Sequence, residues 1–600
     1  MSHTRARSGR TAGDTRGSAL VWRIVGIDRW WLGWGLIALV LAEAPLVVAA
    51  CCGPPELTGL GTFWFVNDFA QYESAIRQGA AGPSWLIVDQ FTPEPHSAAL
   101  MFTVYVALGK FSALFGLDPL ALYRPAELFA RLGLLLGAAK FLNVLLPART
   151  ERRIASIFLL FAMGLGVLAA IVGAILGFEA YTGNGSYEVN TFGLLFSSPH
   201  AALAMGITLW LASRVLRSEQ PTSPRTGESP PADGVRGRAQ DPPLRAFIAA
   251  IRSSSRRGGS CARPRRRQEH VDEPFATLRA WPTLLLMLAV GAALASLHAF
   301  HLPALFGGLG LYALARWLRQ GDARPLVELT AVAVGALPIL AYVMLVFGTD
   351  PFWAAAYSAQ NLLPTPTPPQ MVVEYGVVLL FAVPGLRIAF QRGGVWWGVL
   401  GWLLLVALAS YLPVPYQRRL GFGLQPLLAV LAALGLVWAA ARLGTRGGAW
   451  LRLGTVLLAL MTTAIVFAGM LQSALAHQPL RPYRADRDSA AVIRALAGRV
   501  CPNDVILANW DLSNYIGGQV LARVTGGHPV ATLDAVRRKA EFSAAGNDPE
   551  RWRALVERFQ PTYVLYGPAE SGLPPPAKDA REISRQGHAV VYALGAGACE

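Results

Sequence analysis

Charged residues are scarce in this chain. Only 15% of its 600 residues are Asp, Glu, Lys or Arg, whereas 53% are hydrophobic, and the mean hydropathy is +0.39. A water-soluble enzyme of the ordinary kind carries more charge and fewer apolar residues. The composition therefore excludes that class and predicts a polytopic membrane protein.

Three further features are absent from the sequence. The five cysteines show neither metal-ligand spacing nor a paired pattern, so we expect no zinc site and no disulfide framework. No Gly-rich strand-to-helix fingerprint occurs, because Gly517-Gly518 and Gly526-Gly527 are isolated pairs typical of turns. No internal repeat is visible, which argues against the repeated architecture of many transporters.

Apolar runs long enough to cross the ~30 Å hydrocarbon layer as helices recur along the chain. They predict a polytopic α-helical membrane protein with about 11 to 13 transmembrane helices, since alternating barrel-type strands are not visible. After about residue 478 the composition becomes soluble. Short apolar strands alternate there with helical segments, which predicts a small C-terminal α/β domain.

The sequence divides into five regions. Their predicted bounds are a basic cytoplasmic tail over 1–29, a membrane region over 30–217 with a large first external loop at 53–96, a disordered cytoplasmic loop over 218–274, a second membrane region over 275–477 and an external α/β domain over 478–600. The loop over 218–274 is rich in Pro, Ser, Gly and Arg and lacks the apolar residues that a core requires.

The distribution of charge predicts the orientation. The net charge of +16 comes mainly from Arg in the N-terminal tail, in 225–267 and in short loops, which positive-inside topology explains without a nucleic-acid partner. Loops without Lys or Arg alternate with these basic loops and are assigned to the outside, as is the C-terminal domain. Two crossings between 97 and 146 would break the alternation, so we expect one of those segments to be re-entrant or interfacial.

The first external loop carries an acidic candidate. Asp68 follows the first span closely, among aromatic residues and at the start of an amphipathic segment, and is predicted to lie at the membrane–water boundary. Desolvation at this depth raises the basicity of a carboxylate, which suits a catalytic base. The alternative is that Asp68 only caps a helix that begins at Phe69.

Other polar residues lie at the same predicted boundary. Glu94 and His96 occupy a Pro-X-Pro-His turn before the second apolar run, His200 lies in the external half of its span, and His298 and His301 flank an external turn. Polar groups at membrane depth usually face a cavity or a partner, although hydrogen bonds between helices explain them equally well. The carboxylate–His spacing of a known ligand motif is absent, so we expect no His-bound metal and no other cofactor, and a divalent metal held in another way stays an alternative that the sequence does not support.

Paired arginines lie in an external loop. Arg418 and Arg419 end a Pro-Val-Pro-Tyr-Gln-Arg-Arg segment between two apolar runs. Short translocated loops tend to lack Lys and Arg, so these two are predicted to bind a substrate rather than to set the topology. Tyr416 and Gln417 are adjacent candidates. The alternative for the arginines is ordinary contact with lipid headgroups by snorkelling.

Several segments are similar to those of uncharacterised bacterial proteins of one family. They are Asn67-Asp68 with Tyr72, Thr92-Pro-Glu-Pro-His96, Phe115-Gly-Leu-Asp-Pro-Leu120, Ser198-Pro-His200 and Pro415-Tyr-Gln-Arg-Arg419. Together with the large first loop, the many spans and the soluble tail, they resemble the integral-membrane family C glycosyltransferases, such as protein O-mannosyltransferases and the aminoarabinose transferase acting on lipid A. The resemblance covers about residues 30–477. This chain departs from the best-known members because Asp68 has no adjacent second acid.

The resemblance implies transfer of a sugar from a polyprenyl-phosphate donor to a glycan, lipid or protein acceptor on the outer face of the bacterial inner membrane. A phosphate leaving group is a stable anion and needs no general acid, whereas the acceptor must lose a proton, so Asp68 is the predicted base. The alternatives from other classes are a multi-pass lipid or solute transporter or flippase, and a non-catalytic cell-envelope scaffold.

The same resemblance gives the arginine pair a specific role. Arg418 and Arg419 would hold the phosphate of the donor at headgroup depth through forked hydrogen bonds and stabilise the charge that develops as it leaves. Tyr416, Gln417 and His200 would complete the contacts with the phosphate or the sugar.

Overall fold

A computed structural model shows a mainly helical chain. It describes residues 29–181, 183, 190–196, 198–217, 275–359, 362–477 and 484–595. The predicted cytoplasmic tail before residue 29 and the predicted loop over 218–274 lie outside the described residues.

The N-terminal part of the described chain includes the segment 53–96, which the sequence predicts as the first external loop. Its elements are α1 (Arg29–Cys52), β1 (Leu57–Gly59), α2 (Val66–Ala81), α3 (Thr103–Leu114), α4 (Tyr123–Leu145), α5 (Arg149–Phe161), α6 (Gly166–Leu176), α7 (Thr191–Phe196) and α8 (Pro199–Leu216). At 1.5 Å per residue, the 12 residues of α3 extend about 18 Å, too short for a ~30 Å layer. The helix α3, which belongs to the first of the two predicted crossings between 97 and 146, is therefore too short to cross as a straight helix.

The C-terminal part of the bundle contains two π-helices. Its elements are α9 (Phe275–His298), α10 (His301–Ala304), the first π-helix (Leu305–Leu309), α11 (Gly310–Gln320), α12 (Arg324–Thr349), α13 (Pro351–Ala354), the second π-helix (Ala355–Ala359), α14 (Pro368–Arg392), α15 (Val395–Ala409), a 3-10 helix (Gln417–Gly421), α16 (Leu424–Arg442) and α17 (Gly444–Leu475). Short π-helices occur frequently at functional sites. The first follows His301, and the second contains Tyr357, which lies near Asp68.

Seven helices in the described residues are long and apolar enough to cross a membrane, or eight if α5 and α6, bent by 62°, form one span. The prediction of a multi-pass helical membrane protein is confirmed at this level. The predicted number of spans is higher because several apolar runs are shorter or interrupted in the structure. α15 has only 15 residues, and the first π-helix interrupts the run between α10 and α11.

The predicted C-terminal α/β domain is confirmed. Its elements are β2 (Arg484–Asp486), α18 (Arg487–Ala497), β3 (Val505–Leu507), α19 (Trp510–Gln519), β4 (Arg523–Val524), α20 (Ala535–Ala545), α21 (Pro549–Phe559), β5 (Tyr563–Tyr566), a 3-10 helix (Pro568–Glu570), β6 (Arg581–Gln586) and β7 (Ala589–Ala593). Five strands form a sheet in the order β4-β3-β5-β7-β6. β3 is parallel to β4 and β5, whereas β7 is antiparallel to β5 and β6.

The first external loop packs against this domain. The backbone N–H of Val524 at the edge of the sheet donates to the carbonyl of Gln90 (2.7 Å), and the Thr532 hydroxyl donates to the carbonyl of Phe91 (2.8 Å). Phe91 and Ala70 share a buried apolar cluster with the domain. β1 also pairs antiparallel with β2. The loop and the domain therefore share one core, although some 400 residues of chain separate them.

One cysteine departs from expectation. Cys501 is disulfide-bonded, although the cysteine pattern predicts no disulfide framework. Cys51 and Cys52 are free and exposed. One bonded cysteine does not need the repeated spacing of a framework, so the cysteine pattern could not indicate it.

Candidate functional site

Asp68 lies in the first turn of α2, not at its cap. The helix begins at Val66 after Phe65, which adopts a left-handed conformation (φ 47°) and makes no side-chain capping bond. The alternative of a capping Asp68 before a helix starting at Phe69 is therefore wrong, since the chain becomes helical three residues earlier. The helix dipole favours an anion at this position. The side chain of Asp68 is 32% exposed, so it keeps contact with solvent.

A histidine of the C-terminal domain faces this carboxylate. Nε2 of His528 lies 3.6 Å from Oδ1 of Asp68, and the His528 side chain is 1% exposed. Nδ1 of His528 accepts hydrogen bonds from the backbone N–H groups of Val530 (3.1 Å) and Ala531 (2.9 Å). Because Nδ1 acts as an acceptor, the neutral ring carries its proton on Nε2, towards Asp68.

Sequence reasoning missed His528. It follows the Gly526-Gly527 pair, which was interpreted only as a turn, at the carboxyl end of the parallel strand β4. Ligand sites of parallel sheets commonly lie at this edge. The one signal in the sequence was therefore a His placed directly after a strand and a glycine turn.

Two other acids of the first loop are buried. Asp89 accepts from the Tyr357 hydroxyl (2.5 Å) and from the backbone N–H of Phe91 (2.8 Å), and burial raises the pKa of its carboxyl. Glu73 accepts from the amide of Gln519 (3.0 Å), and burial raises its pKa to about 8. Both carboxyls have internal partners and little exposure. Of the three acids, Asp68 is the most exposed.

His200 connects Asp68 to the arginine pair. Its ring lies at the start of α8, where Nδ1 is 2.7 Å from the hydroxyl of Tyr105. Tyr105 stacks on Tyr72 of α2, with ring centroids 4.2 Å apart. The His200 ring lies 5.4 Å from the Tyr72 ring and 5.9 Å from the His298 ring, measured between centroids. His298 in turn lies 5.2 Å from Phe300, the ring that packs against Arg419. A chain of ring contacts therefore runs from the helix that carries Asp68 to Arg419.

The predicted arginine loop packs against an aromatic residue of the bundle. Gln417, Arg418 and Arg419 lie in the 3-10 helix before α16 and are half-buried. The guanidinium of Arg419 lies 5.1 Å from the ring centroid of Phe300, and the Tyr416 ring lies 5.2 Å from the same ring. An aromatic face thus supports Arg419 and Tyr416.

Buried histidines fill the space between His200 and the arginine loop. The His298 ring lies 5.9 Å from His200 and 5.2 Å from His301, measured between centroids. Both rings contact Phe422, at 4.5 and 4.6 Å, and Phe422 follows the 3-10 helix directly. This continuous set of rings holds α8, α10 and the arginine loop together.

Glu94 and His96 have structural partners. Glu94 accepts from the Thr92 hydroxyl and forms an ion pair with Arg538, a buried residue of the C-terminal domain. Nε2 of His96 accepts from the backbone N–H of Asp89 (2.8 Å), and its ring stacks on an aromatic ring of α13. The Glu94–Arg538 pair joins the loop to the domain, whereas the contacts of His96 lie within the loop and with the bundle. The substrate-binding role of both residues stays a prediction. Among the described residues, no group of three or more His, Cys, Asp or Glu is arranged to hold a metal ion.

No protein-family model matches the chain, and no curated protein matches it. Solved structures of the oligosaccharyltransferase of Archaeoglobus fulgidus are similar. The structure tethered with an acceptor peptide is 13% identical with a TM-score of 0.44, covering 92% of this chain and 70% of that chain. The complex with an inhibitory peptide and a dolichol-phosphate is 15% identical with a TM-score of 0.43, covering 90% and 69%.

Proposed function

We propose that the protein is a membrane glycosyltransferase that transfers a sugar from a polyprenyl-phosphate donor to an acceptor on the outer face of the membrane. The observation that carries the proposal is the chain of ring contacts that joins α2, the helix of Asp68, to Arg419 through Tyr72, His200, His298 and Phe300. A half-exposed acid and a guanidinium pair at one end of an apolar bundle suit a reaction between a lipid-carried anion and a proton-bearing acceptor.

Asp68 acts as the base in this reaction. The acceptor hydroxyl or amine attacks the anomeric carbon of the sugar while its proton passes to the Asp68 carboxylate. The bond between the anomeric carbon and the phosphate oxygen breaks, and the oxygen leaves with the electron pair. Since a phosphate monoester is a stable anion, no proton donor is required on the leaving side.

Arg418 and Arg419 bind the phosphate of the donor. Planar guanidinium groups match phosphate oxygens in a forked geometry, and their fixed charge stabilises the departing anion. The packing of Arg419 against Phe300 restricts its motion before the donor arrives. Tyr416, which is 37% exposed, and Gln417 lie beside the pair and complete the contacts with the phosphate or the sugar.

The site lies outside the cytoplasm in this proposal. The basic tail keeps the start of α1 inside, so β1, directly after α1, is external. β1 pairs with β2, which follows α17, so the domain is on the same side. The disulfide of Cys501 fits an oxidising compartment, such as the outer side of a bacterial inner membrane. With α3 interfacial and α5–α6 and α10–α11 each one crossing, charge alternation gives about eleven spans.

The test uses purified protein in proteoliposomes with radiolabelled polyprenyl-phosphate sugars and membrane extracts as the acceptor source. We expect the wild type to move label from lipid to acceptor, and Asp68→Asn and Arg418→Ala to lose this transfer. Asp579→Asn and Arg551→Ala change exposed residues of the C-terminal domain and serve as matched controls. Movement of a lipid or solute across the liposome, without turnover of any donor, would replace the enzyme by a transporter.

A further inference from the structure

We propose that His528 is a positioning residue for Asp68, so that the C-terminal domain completes a site whose base belongs to the first external loop. This inference rests on the proposed function. His528 does not touch the substrate. It holds the Asp68 carboxylate in one orientation by presenting the Nε2–H donor to Oδ1, which leaves the other oxygen to receive the proton of the acceptor.

The hydrogen-bond pattern of His528 defines it as a donor. Both backbone bonds end on Nδ1, so the ring cannot take a second proton there without losing them. Nε2 is buried and makes no hydrogen bond within the described residues. The Asp68 carboxylate, 3.6 Å away, is the acceptor that it faces. Catalytic hydrogen bonds are often long without substrate and shorten in the loaded enzyme.

The backbone fixes the position of the ring. Gly527 has φ 113°, and a Cβ there would lie 2.4 Å from the backbone N of Asn514, so the turn before His528 requires glycine. The backbone N–H of His528 donates to the Thr532 hydroxyl (3.1 Å), which in turn donates to the carbonyl of Phe91. The turn is thus held by the domain on one side and by the first loop on the other.

Other charged and titratable groups surround the pair. Tyr357 of the second π-helix and His200 of α8 interact electrostatically with Asp68, and Asp89 interacts with His528. Tyr357, His200 and Asp89 all lie outside the C-terminal domain, whereas His528 belongs to it. The position of His528 depends on the docking of the domain against the loop, so the orientation of the base depends on that docking as well.

The test compares two substitutions at the same position. His528→Phe keeps an aromatic ring but removes the donor, and we expect kcat to fall roughly tenfold or more, as for the loss of a hydrogen bond to a charged group. The KM for the donor stays unchanged, and the acid limb of the pH–rate profile moves to higher pH because the carboxylate loses a stabilising donor. His528→Gln restores an N–H at similar reach and recovers most of kcat.

Equal kcat and pH profile in wild type and His528→Phe would overturn the inference. Equal loss in His528→Phe and His528→Gln, at unchanged melting temperature, would also overturn it. A readout without turnover is the ¹⁵N shift of the His528 imidazole, assigned by its absence in His528→Gln. We expect Asp68→Asn to move the Nε2 resonance, and no movement would exclude the contact. If the resonance moves but no donor is turned over, the contact stands and the proposed function fails.

Discussion

Glu73 provides a quantitative test of how the first loop joins the C-terminal domain. It lies on α2 against α19, where it accepts from Gln519, and burial raises its pKa from 4.5 to about 8. Arg77 and Arg124 oppose this rise but do not cancel it. Between pH 4.5 and about 8, the folded protein keeps a proton that the unfolded chain releases. Burial of Glu73 therefore does not lower the free energy of unfolding below pH 4.5. The free energy of unfolding falls as the pH rises through this window.

Glu73→Gln removes this dependence. The amide resembles the protonated carboxyl in shape and still accepts from Gln519. At pH 7 the buried wild-type carboxyl stays protonated about 2.5 pH units above its ordinary pKa of 4.5, which costs about 3 kcal/mol. The variant avoids this cost. We expect thermal melting in detergent from pH 5 to 8 to show a declining melting temperature for the wild type. Glu73→Gln should show a smaller decline and a higher melting temperature at pH 7.

The difference between the two proteins isolates Glu73, because Asp89 contributes a decline of the same sign to both. Glu557→Gln, an exposed change on α21, is the matched control and should follow the wild type. Identical pH slopes for wild type and Glu73→Gln would refute the placement of this carboxyl in a dry interface.

Three further predictions concern the site and its support. Asp68→Asn should lower kcat about 10² to 10⁴-fold with little change in donor KM, measured with a saturating radiolabelled donor. Arg419→Lys should lose more than tenfold in kcat/KM although the charge remains, because an ammonium cannot form the guanidinium fork; full activity would contradict a bidentate contact. Arg538→Ala should destabilise the protein by about 3 to 5 kcal/mol in a denaturant titration, since it leaves Glu94 without its buried partner; double substitution with Glu94→Gln should recover part of this loss.

Local patterns in the sequence were sufficient to predict the helical bundle and the small α/β domain. Hydropathy indicates helices because every backbone group in a membrane needs an internal partner, and short apolar strands between helices indicate an α/β unit. The number of spans was less predictable. Hydropathy does not register the break between α5 and α6 or the π-helix after His301, and both are determined by packing between helices.

Candidate site residues could be chosen from the sequence only where one segment carried the signal, and their roles stay predictions. Asp68 and the arginine pair stand out because Lys and Arg are rare in short translocated loops and charged residues are rare at membrane depth. His528 and Arg538 could not be linked to the first loop, since their partners lie more than 400 residues away in the chain. Glu94 and His96 have the residue types of a binding site, but long-range packing gives them structural contacts.

The most direct test of the central claim is a cryo-EM reconstruction of the protein with bound polyprenyl phosphate. We expect density for the phosphate at the guanidinium groups of Arg418 and Arg419, on the same external face as Asp68 and His200. Phosphate density at the cytoplasmic ends of the helices, or on the lipid-facing surface away from Asp68, would contradict a shared site.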